Sequence, residues 1–299
     1  MEVLCFGSLN IDYTYQVDHF VQKGETQSSD GLYVFSGGKG LNQSIALSKA
    51  GVRTYHAGAI GEDGRFLLQQ MGAAGVNTDC VAVLPDIRSG HAIIQNDKEG
   101  DNCILLYGGA NQAITRDQVD AVMEQFQSGD FLVLQNEINE LAYIMECAAR
   151  KGMKIVLNPS PMNDKVLSLP LELVDYFVLN EIEAVQILGA DPAQAEDGRK
   201  LAEALCRRFA AAAVVLTMGG AGSVYMDEKE TVLQEAYRVQ VVDTTAAGDT
   251  FTGFFIGGLI RGLNKKSAMD EAAKAAAIAV TRPGAAPSIP ELQEVEAFL

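Results

Sequence analysis

The hydrophobic and polar positions of this chain alternate between two kinds of segment. Short runs of consecutive apolar residues, such as EVLCFGS near the start and KIVLNPS near the middle, are typical of strands buried on both faces. Longer segments lie between them, such as LNQSIALSKAG, where Ile45, Leu47 and Ala50 have near-helical spacing. The alternation predicts an α/β fold with a mostly parallel central sheet flanked by helices on both faces.

Two segments interrupt the alternation. Residues 12–35 contain two strand-like pieces joined by polar residues, and residues 89–107 have the pattern of a hairpin with its turn at Asp97–Asp101. We expect them to form a small extra β-sheet, which is either a lid over a site or only a surface hairpin. No Pro-, Gly- or Ser-rich linker divides the chain, so we expect one domain over residues 1–299 with this lid as a subdomain.

The last long helical tract is predicted over residues 249–282.

Composition narrows the partners and the compartment. The net charge of −16 disfavours nucleic acid and anionic membrane surfaces as partners. No apolar run reaches membrane-spanning length, and the first apolar run lacks the basic residues that precede a signal sequence. The five scattered cysteines favour a reducing compartment over a disulfide framework or a zinc site. We therefore expect a cytoplasmic protein.

The first candidate motif is SGGKGLNQS, residues 36–44. Its glycines permit close approach of a ligand to the backbone, and Lys39 places a cation where a helix begins. A phosphate-binding P-loop would need glycine at position 33 and Ser or Thr at position 40, where this chain has Tyr33 and Gly40. The segment is therefore either a structural start of a helix or a ligand-binding loop of another type.

The second candidate motif is NEIE, which directly follows the strand-like segment DYFVL. Asn180 and Glu183 have the spacing of a capping box, in which each side chain bonds the backbone of the other residue. The same residues would also lie at the carboxyl edge of the sheet, where open α/β folds bind ligands. There they could hold a phosphate or the water shell of a magnesium ion.

The third candidate motif is VVDTTAAGDTFTGFF, residues 241–255. Asp249 stands at the start of a helix, where a carboxylate usually acts as a cap or a partner of the helix dipole. The preceding TAAG also offers several backbone N–H groups to an anion. A carboxylate beside such an anion site could deprotonate a hydroxyl that attacks a phosphoryl group.

Together these motifs resemble the PfkB carbohydrate-kinase family, also called the ribokinase family, over essentially the whole chain. The matching segments, in order, are GSLNID, GGKGLNQS, GGAN, LNPSP, NEIEA, TMGGAG, DTTAAGDTFTG and AAAIAVTRPGAAPSIP. The resemblance implies a central sheet flanked by helices, and a small β lid that often mediates dimerisation. It also implies ATP-dependent phosphorylation of a sugar hydroxymethyl group.

The resemblance assigns roles to individual positions. Asp249 matches the catalytic base, and the anion hole is matched by the backbone of Ala246, Ala247 and Gly248. The positions that hold sugar hydroxyls are Asn10, Asp12, Gly38, Lys39, Asn42 and Glu137. The nucleotide positions are Asn180, Thr217, Gly219 and Gly222, and Glu183 is tied to magnesium and phosphate. The loop for a monovalent cation, usually potassium, is matched by Asp243, Thr245, Ala279, Arg282, Gly284 and Ser288.

Two departures from the family pattern bear on these expectations. Position 246 is Ala where the family commonly has Gly, so a positive φ there would carry a steric cost. Leu105, Leu106 and Tyr107 are bulky, and they either pack within the lid or reshape the sugar pocket. Ribose is the leading substrate that the resemblance implies. Another pentose, a ketohexose, a nucleoside and a sugar-binding sensor without catalysis are the alternatives.

Overall fold

The structure is a computed structural model that describes residues 1–191 and 197–298. The strands are β1 (Val3–Phe6), β2 (Asn10–Gln16), β3 (Gly31–Gly37), β4 (Thr54–Gly61), β5 (Asn77–Leu84), β6 (Gly90–Asn96), β7 (Asn102–Tyr107), β8 (Phe131–Gln135), β9 (Lys154–Asn158), β10 (Tyr176–Asn180), β11 (Ala213–Thr217), β12 (Ser223–Met226) and β13 (Thr231–Gln234). The α-helices are α1 (Lys39–Lys49), α2 (Arg65–Ala73), α3 (Arg116–Met123), α4 (Leu141–Lys151), α5 (Glu181–Leu188), α6 (Gly198–Arg208), α7 (Ala247–Ile260), α8 (Lys265–Ala279) and α9 (Leu292–Glu296).

The larger sheet has nine strands within the described residues, in the order β13-β12-β11-β10-β9-β8-β1-β4-β5. The pairings from β11 through β5 are all parallel. The last two pairings, β11 with β12 and β12 with β13, are antiparallel. The sheet is therefore mostly parallel, as the alternation of strands and helices predicts.

Both faces of the larger sheet are buried, which explains why its strands are continuously apolar. Leu4 and Phe6 of β1 belong to one hydrophobic cluster, which also contains residues of α3, α4, α5 and α6. Their neighbours Val3 and Cys5 belong to a second cluster, with residues of α1, α2, α7 and α8. The predicted α/β class with helices on both faces is confirmed.

The smaller sheet, formed by β2, β3, β6 and β7, stands outside the alternation as predicted. Its order is β3-β2-β6-β7; the outer two pairings are antiparallel and the central one, β2 with β6, is parallel. The hairpin of β6 and β7 turns at the expected place, since the Asp97 N–H donates to the Asp101 carbonyl over 3.1 Å.

Strand β7 is exposed along its whole length in the single chain. Leu105, Leu106 and Tyr107 are 66%, 56% and 53% exposed. The expectation that these side chains simply pack within the lid is therefore wrong for the single chain. Leu106 pairs with Ala92, and Ala92 pairs with Asp12, so these three residues share one face of the smaller sheet.

The helical tract predicted over residues 249–282 is two helices rather than one. Helix α7 ends before Gly262, which has a φ of 91° that favours glycine. Helix α8 then begins after Asn264, whose side chain accepts a hydrogen bond from the Ser267 N–H. Among the described residues, none of the helices has both the length and the apolar composition needed to cross a bilayer.

Helices α1 and α7 approach each other closely because small residues form their contact. A Cβ added at Gly253 would lie 2.4 Å from the Ala46 Cβ, and one at Gly257 would lie 2.7 Å from the Ala50 Cβ. Glycine at these positions therefore permits the observed separation. Asp249 lies one turn before Gly253 on the same face of α7, so this packing brings Asp249 to the first turns of α1.

Candidate active site

Helix α7 begins after a backbone position in the left-handed region. The N-terminal cap residue, Ala246, has a φ of 59° and a ψ of 9°. The steric cost anticipated for alanine at this position is therefore present in the structure. The N–H groups of a first helical turn lack carbonyl partners within the helix. Of the three predicted anion-hole residues, Ala247 donates a long, 3.3 Å bond to the Thr244 carbonyl.

Asp249 lies in the first turn of α7 without capping it. Among the described residues, no side chain makes a cap hydrogen bond to this helix. The carboxylate is instead buried, 6% exposed, and faces α1. Its Oδ2 accepts from the Asn42 Nδ2 over 3.0 Å, and its Oδ1 accepts from the Gln43 Nε2 over 2.8 Å. The capping interpretation of Asp249 is therefore wrong, although the carboxylate still lies in the first turn, where it can interact with the helix dipole. Its catalytic role stays a prediction.

Glu137 connects the glycine-rich loop to the end of β1. Its Oε2 accepts hydrogen bonds from the Ser8 hydroxyl and from the Lys39 backbone N–H, the latter over 2.9 Å. Gly38, directly before Lys39, has a φ of 96°, and an added Cβ would lie 2.9 Å from the Ser8 carbonyl oxygen. The close approach of these two chain segments therefore depends on glycine at position 38.

Asp12 and Glu137 are two half-buried carboxyl groups that lie close enough for the charge of one to affect the other. Burial, together with a smaller effect of the charge of Glu137, raises the pKa of Asp12 to about 6. Burial also raises the pKa of Glu137, although its bonds from Ser8 and Lys39 oppose the shift. No hydrogen bond to Asp12 contributes to its shift among the described residues. The Asp12 carboxylate is therefore a half-buried acceptor with oxygen atoms free to accept further hydrogen bonds, and its predicted contact with sugar hydroxyl groups stays a prediction.

Asn10 and Asn42 complete this polar group. The Asn10 Oδ1 accepts from the Asn111 Nδ2 over 2.7 Å. The Asn42 Nδ2 is used by Asp249, whereas its Oδ1 is buried without a hydrogen-bond partner among the described residues. A buried acceptor without a partner is costly unless a ligand satisfies it. We name these six residues the polyol cluster: Asn10, Asp12, Gly38, Lys39, Asn42 and Glu137.

Asn180 and Glu183 form the predicted capping box at the start of α5. The Asn180 Oδ1 accepts from the Glu183 N–H over 2.9 Å, and the Glu183 Oε2 accepts from the Asn180 N–H over 3.0 Å. Both residues also line a cavity of about 380 Å³ together with Lys39 and Asp249. Burial raises the pKa of Glu183, opposed by its bond from the Asn180 backbone. The capping box is therefore present and both residues also line the cavity, whereas their predicted contact with a ligand stays a prediction.

A second cavity, of about 750 Å³, adjoins the first one at the start of α7. Thr217, Gly219 and Gly222, three of the predicted nucleotide positions, line it. Three alanines of α8 also line it, which leaves room for a flat group: Ala273, Ala276 and Ala277. The two cavities share lining residues at the start of α7 and the end of β11: Thr217, Thr244, Ala247 and Gly248.

The loop predicted to bind a monovalent cation is organised by Asp243. This carboxylate accepts from the Thr245 N–H and hydroxyl over 2.9 and 2.6 Å, and from the Gly284 N–H over 2.9 Å. Burial alone would raise the pKa of Asp243, but these donors hold it below its usual value. Asp243, Thr245 and Gly284 are thus brought together.

The other three positions of this loop contribute less through their side chains. The Arg282 side chain is paired with Glu294, and its backbone N–H donates to the Ala279 carbonyl over 3.0 Å. The Ser288 hydroxyl is buried and donates to the Ala285 carbonyl over 2.7 Å. Among the described residues, no group of three or more His, Cys, Asp and Glu side chains could hold a metal ion.

Four residues of the site were not singled out from the sequence. Gln43 donates a hydrogen bond to Asp249, and Gln135 donates one to Gln43. Ser8 donates to Glu137, and Asn111 donates to Asn10. Gln43 adjoins Asn42 in the glycine-rich motif, Ser8 lies in GSLNID and Asn111 ends GGAN, so sequence position offered a signal for three of them. Only the fold brings Gln135 to the site, because its partners are distant in sequence.

A family model for pfkB family carbohydrate kinases matches residues 1–292 of the chain. The chain belongs to this family, and it is a phosphotransferase with an alcohol group as acceptor. The resemblance predicted from the motifs is therefore confirmed.

Individual relatives cover nearly the full length. Ribokinase of Staphylococcus aureus (strain COL) is 34% identical over 300 residues, which are 98% of each chain. Deoxyribokinase of Salmonella typhimurium is 29% identical over 304 residues, 100% of this chain and 99% of that one. The structure of Arabidopsis thaliana ribokinase complexed with ribose and ATP has a TM-score of 0.86 at 27% identity, covering 99% of this chain and 97% of that chain.

Proposed function

We propose that the chain transfers the γ-phosphoryl group of ATP to the hydroxymethyl group of ribose, which forms ribose 5-phosphate and ADP. The similarity to the Staphylococcus aureus ribokinase and to the Arabidopsis thaliana structure with ribose and ATP supports this assignment. The observation that carries it is the position of Asp249. This buried carboxylate bonds Asn42 of the polyol cluster and also lines the 380 Å³ cavity.

The polyol cluster is suited to a sugar because it offers several buried or half-buried oxygen atoms that can accept hydrogen bonds from sugar hydroxyl groups. Among the described residues, the buried Asn42 Oδ1 has no hydrogen-bond partner, and no hydrogen bond contributes to the pKa shift of Asp12. Glu137 is held in place by Ser8 and Lys39. A site that is built to pair hydroxyl groups rejects analogues that lack them, because its own polar groups would remain unpaired. This arrangement favours a site that binds a sugar selectively over a nonspecific binding surface.

Asp249 acts in this proposal as the general base. It accepts the proton of the sugar hydroxymethyl group while that oxygen forms a bond to the γ-phosphorus, and the bond from the γ-phosphorus to the bridging oxygen of ADP breaks. The backbone N–H groups at Ala246, Ala247 and Gly248 stabilise the charge on the transferred group, since they open a helix. Lys39, which lines the same cavity, supplies the side-chain cation.

The 750 Å³ cavity is the proposed nucleotide site. Thr217, Gly219 and Gly222 line it, and Asn180 lies in the adjoining 380 Å³ cavity. A magnesium ion on the nucleotide would neutralise phosphate charge, and it usually keeps several waters while using few carboxylates. Glu183 lines the adjoining cavity together with Asn180 and would hold such an ion through water. Its raised pKa is compatible with this role, because a nearby cation would favour the ionised form.

The Asp243 loop is the proposed site of potassium. A carboxylate, hydroxyl groups and backbone carbonyls are all oxygen donors, as hard cations prefer. The candidate residues are those that the family pattern assigns: Asp243, Thr245, Ala279, Arg282, Gly284 and Ser288. The ion would act on the reaction indirectly, by fixing the loop that precedes Ala246.

The smaller sheet is proposed to close over the sugar and to form the contact of a homodimer. Strand β7 exposes Ile104, Leu105 and Leu106, each by more than half. Strand β3 at the opposite edge exposes apolar side chains to a similar extent: Leu32, Tyr33, Val34 and Phe35. So much apolar surface on a small sheet is typical of an interaction site.

The proposed function is tested by measuring ADP production with a panel of acceptors. The panel contains ribose, 2-deoxyribose, other pentoses, fructose and nucleosides, each at several concentrations. We expect the highest kcat/KM with ribose. The deoxyribokinase relative makes 2-deoxyribose the second candidate. Absence of ADP production with every sugar, or a clear preference for a nucleoside, would contradict the assignment.

A further inference from the structure

Gln43 is a fully buried side chain on α1 whose amide group uses both of its donor hydrogens and also its oxygen in hydrogen bonds. Its Nε2 donates to the Asp249 Oδ1 over 2.8 Å and to the Asn158 Oδ1 over 3.2 Å. Its Oε1 accepts from the Gln135 Nε2 over 2.6 Å. An ionised carboxylate accepts hydrogen bonds only, so Asp249 requires the NH₂ side of Gln43 to face it. The amide oxygen must then face Gln135.

The residues behind Gln43 belong to two neighbouring strands. Gln135 ends β8 and Asn158 ends β9, and the two are paired in register. Gln135 is fully buried, and the Asn158 Nδ2 donates to the Val178 carbonyl over 2.8 Å. Gln43 is therefore held by residues at the carboxyl ends of two central strands of the larger sheet, β8 and β9. Through the same amide group it also donates to Asp249.

We infer that Gln43 is a positioning residue for Asp249 and that Gln135 acts on Asp249 only through Gln43. This inference rests on the proposed function, in which Asp249 is the general base. Gln43, which is fully buried, fixes the Asp249 Oδ1 by donating a hydrogen bond to it. The other oxygen, Oδ2, is shared with Asn42 of the polyol cluster and is the one that receives the hydroxyl proton.

The physical basis is the orientation of the carboxylate plane. Asp249 has a rotatable terminal bond, and two amide donors on different oxygens fix its rotation. Loss of one donor would free that rotation while Asn42 still faces the sugar. Because the rate of an oriented reaction is very sensitive to small misplacements, the effect falls on kcat rather than on sugar binding.

The test uses the full-length protein with Gln43→Met, Gln135→Met and the double variant. Methionine keeps approximate length and removes the hydrogen-bonding amide. We expect Gln43→Met to lower kcat by roughly 10- to 100-fold, with the KM for ribose nearly unchanged. Gln135→Met should lower kcat less. The double variant should have the kcat of Gln43→Met alone, because Gln135 has no separate route to Asp249.

Gln118→Met is the matched control, since the Gln118 Nε2 donates to the Gly58 carbonyl over 2.8 Å away from these residues. It should keep its kcat. The inference is overturned by a normal kcat in Gln43→Met, by additive effects in the double variant, or by an equal loss of kcat in Gln118→Met. If Gln43→Met does not fold, Gln135→Met decides alone, and an unchanged kcat in it overturns the inference.

Two reference measurements in the same assay separate this inference from the proposed function. Wild-type protein should turn over ribose, and Asp249→Asn should lose most of that turnover. If either expectation fails, the proposed function fails and the inference with it. If both hold while Gln43→Met remains normal, only the positioning role of Gln43 is wrong.

Discussion

The affinity for ribose should depend on pH through Asp12. Burial and the nearby charge of Glu137 raise the pKa of Asp12 from 3.8 to about 6. The ionised form is the one that accepts sugar hydroxyl groups, so affinity should be complete above this pKa and decline as the pH falls through it. One unit below the pKa, about one carboxyl in ten remains ionised, so ribose should bind about tenfold more weakly near pH 5 than near pH 7.

The assay is a direct binding titration of ribose without nucleotide, because this separates binding from the chemical step. Circular dichroism at each pH should show that the protein remains folded. Asp12→Asn is neutral at every pH, so it should bind ribose weakly and lose the part of the pH dependence that Asp12 contributes. A ribose affinity that is flat over this range would refute the reasoning. So would an Asp12→Asn protein that keeps the full wild-type dependence.

Three further predictions concern neighbouring features. Activity at fixed ionic strength should be higher in potassium than in sodium or a large organic cation, and Asp243→Asn should weaken this preference; indifference to the cation would count against the site. Light scattering should show a dimer at micromolar concentration and a monomer for Leu105→Glu; a wild-type monomer would dismiss the contact. Ala246→Gly should change the free energy of unfolding by no more than about 1 kcal/mol, since relief of the left-handed alanine offsets added chain entropy. A larger loss in urea unfolding would show that the alanine is needed for stability.

Much of the fold followed from local patterns in the sequence. The continuous apolar strands predicted a sheet buried on both faces, and the Asp97–Asp101 turn predicted the hairpin of β6 and β7. The Asn180 and Glu183 spacing predicted a capping box that is present. These features depend on periodicity, turn chemistry or spacing within a few residues, which a sequence displays directly.

The rest depended on tertiary contacts. Asp249 had the position of a helix cap, and only the packing of α7 against α1 shows that its carboxylate faces Asn42 and Gln43. The role of Gln135 needed the register of β8 beside β9. Leu105 is exposed because both faces of the smaller sheet are uncovered at β7 in the single chain, and an apolar pattern does not distinguish such a strand from a buried one.

The central claim is that Asp249 is the base of a sugar kinase, and the most direct test is Asp249→Asn. Its turnover of ribose is measured beside its ribose affinity and its unfolding midpoint. We predict a fall in kcat of about 10²- to 10⁴-fold, with ribose binding and folding nearly intact. An Asp249→Asn protein that phosphorylates ribose at a near-normal rate would contradict the account.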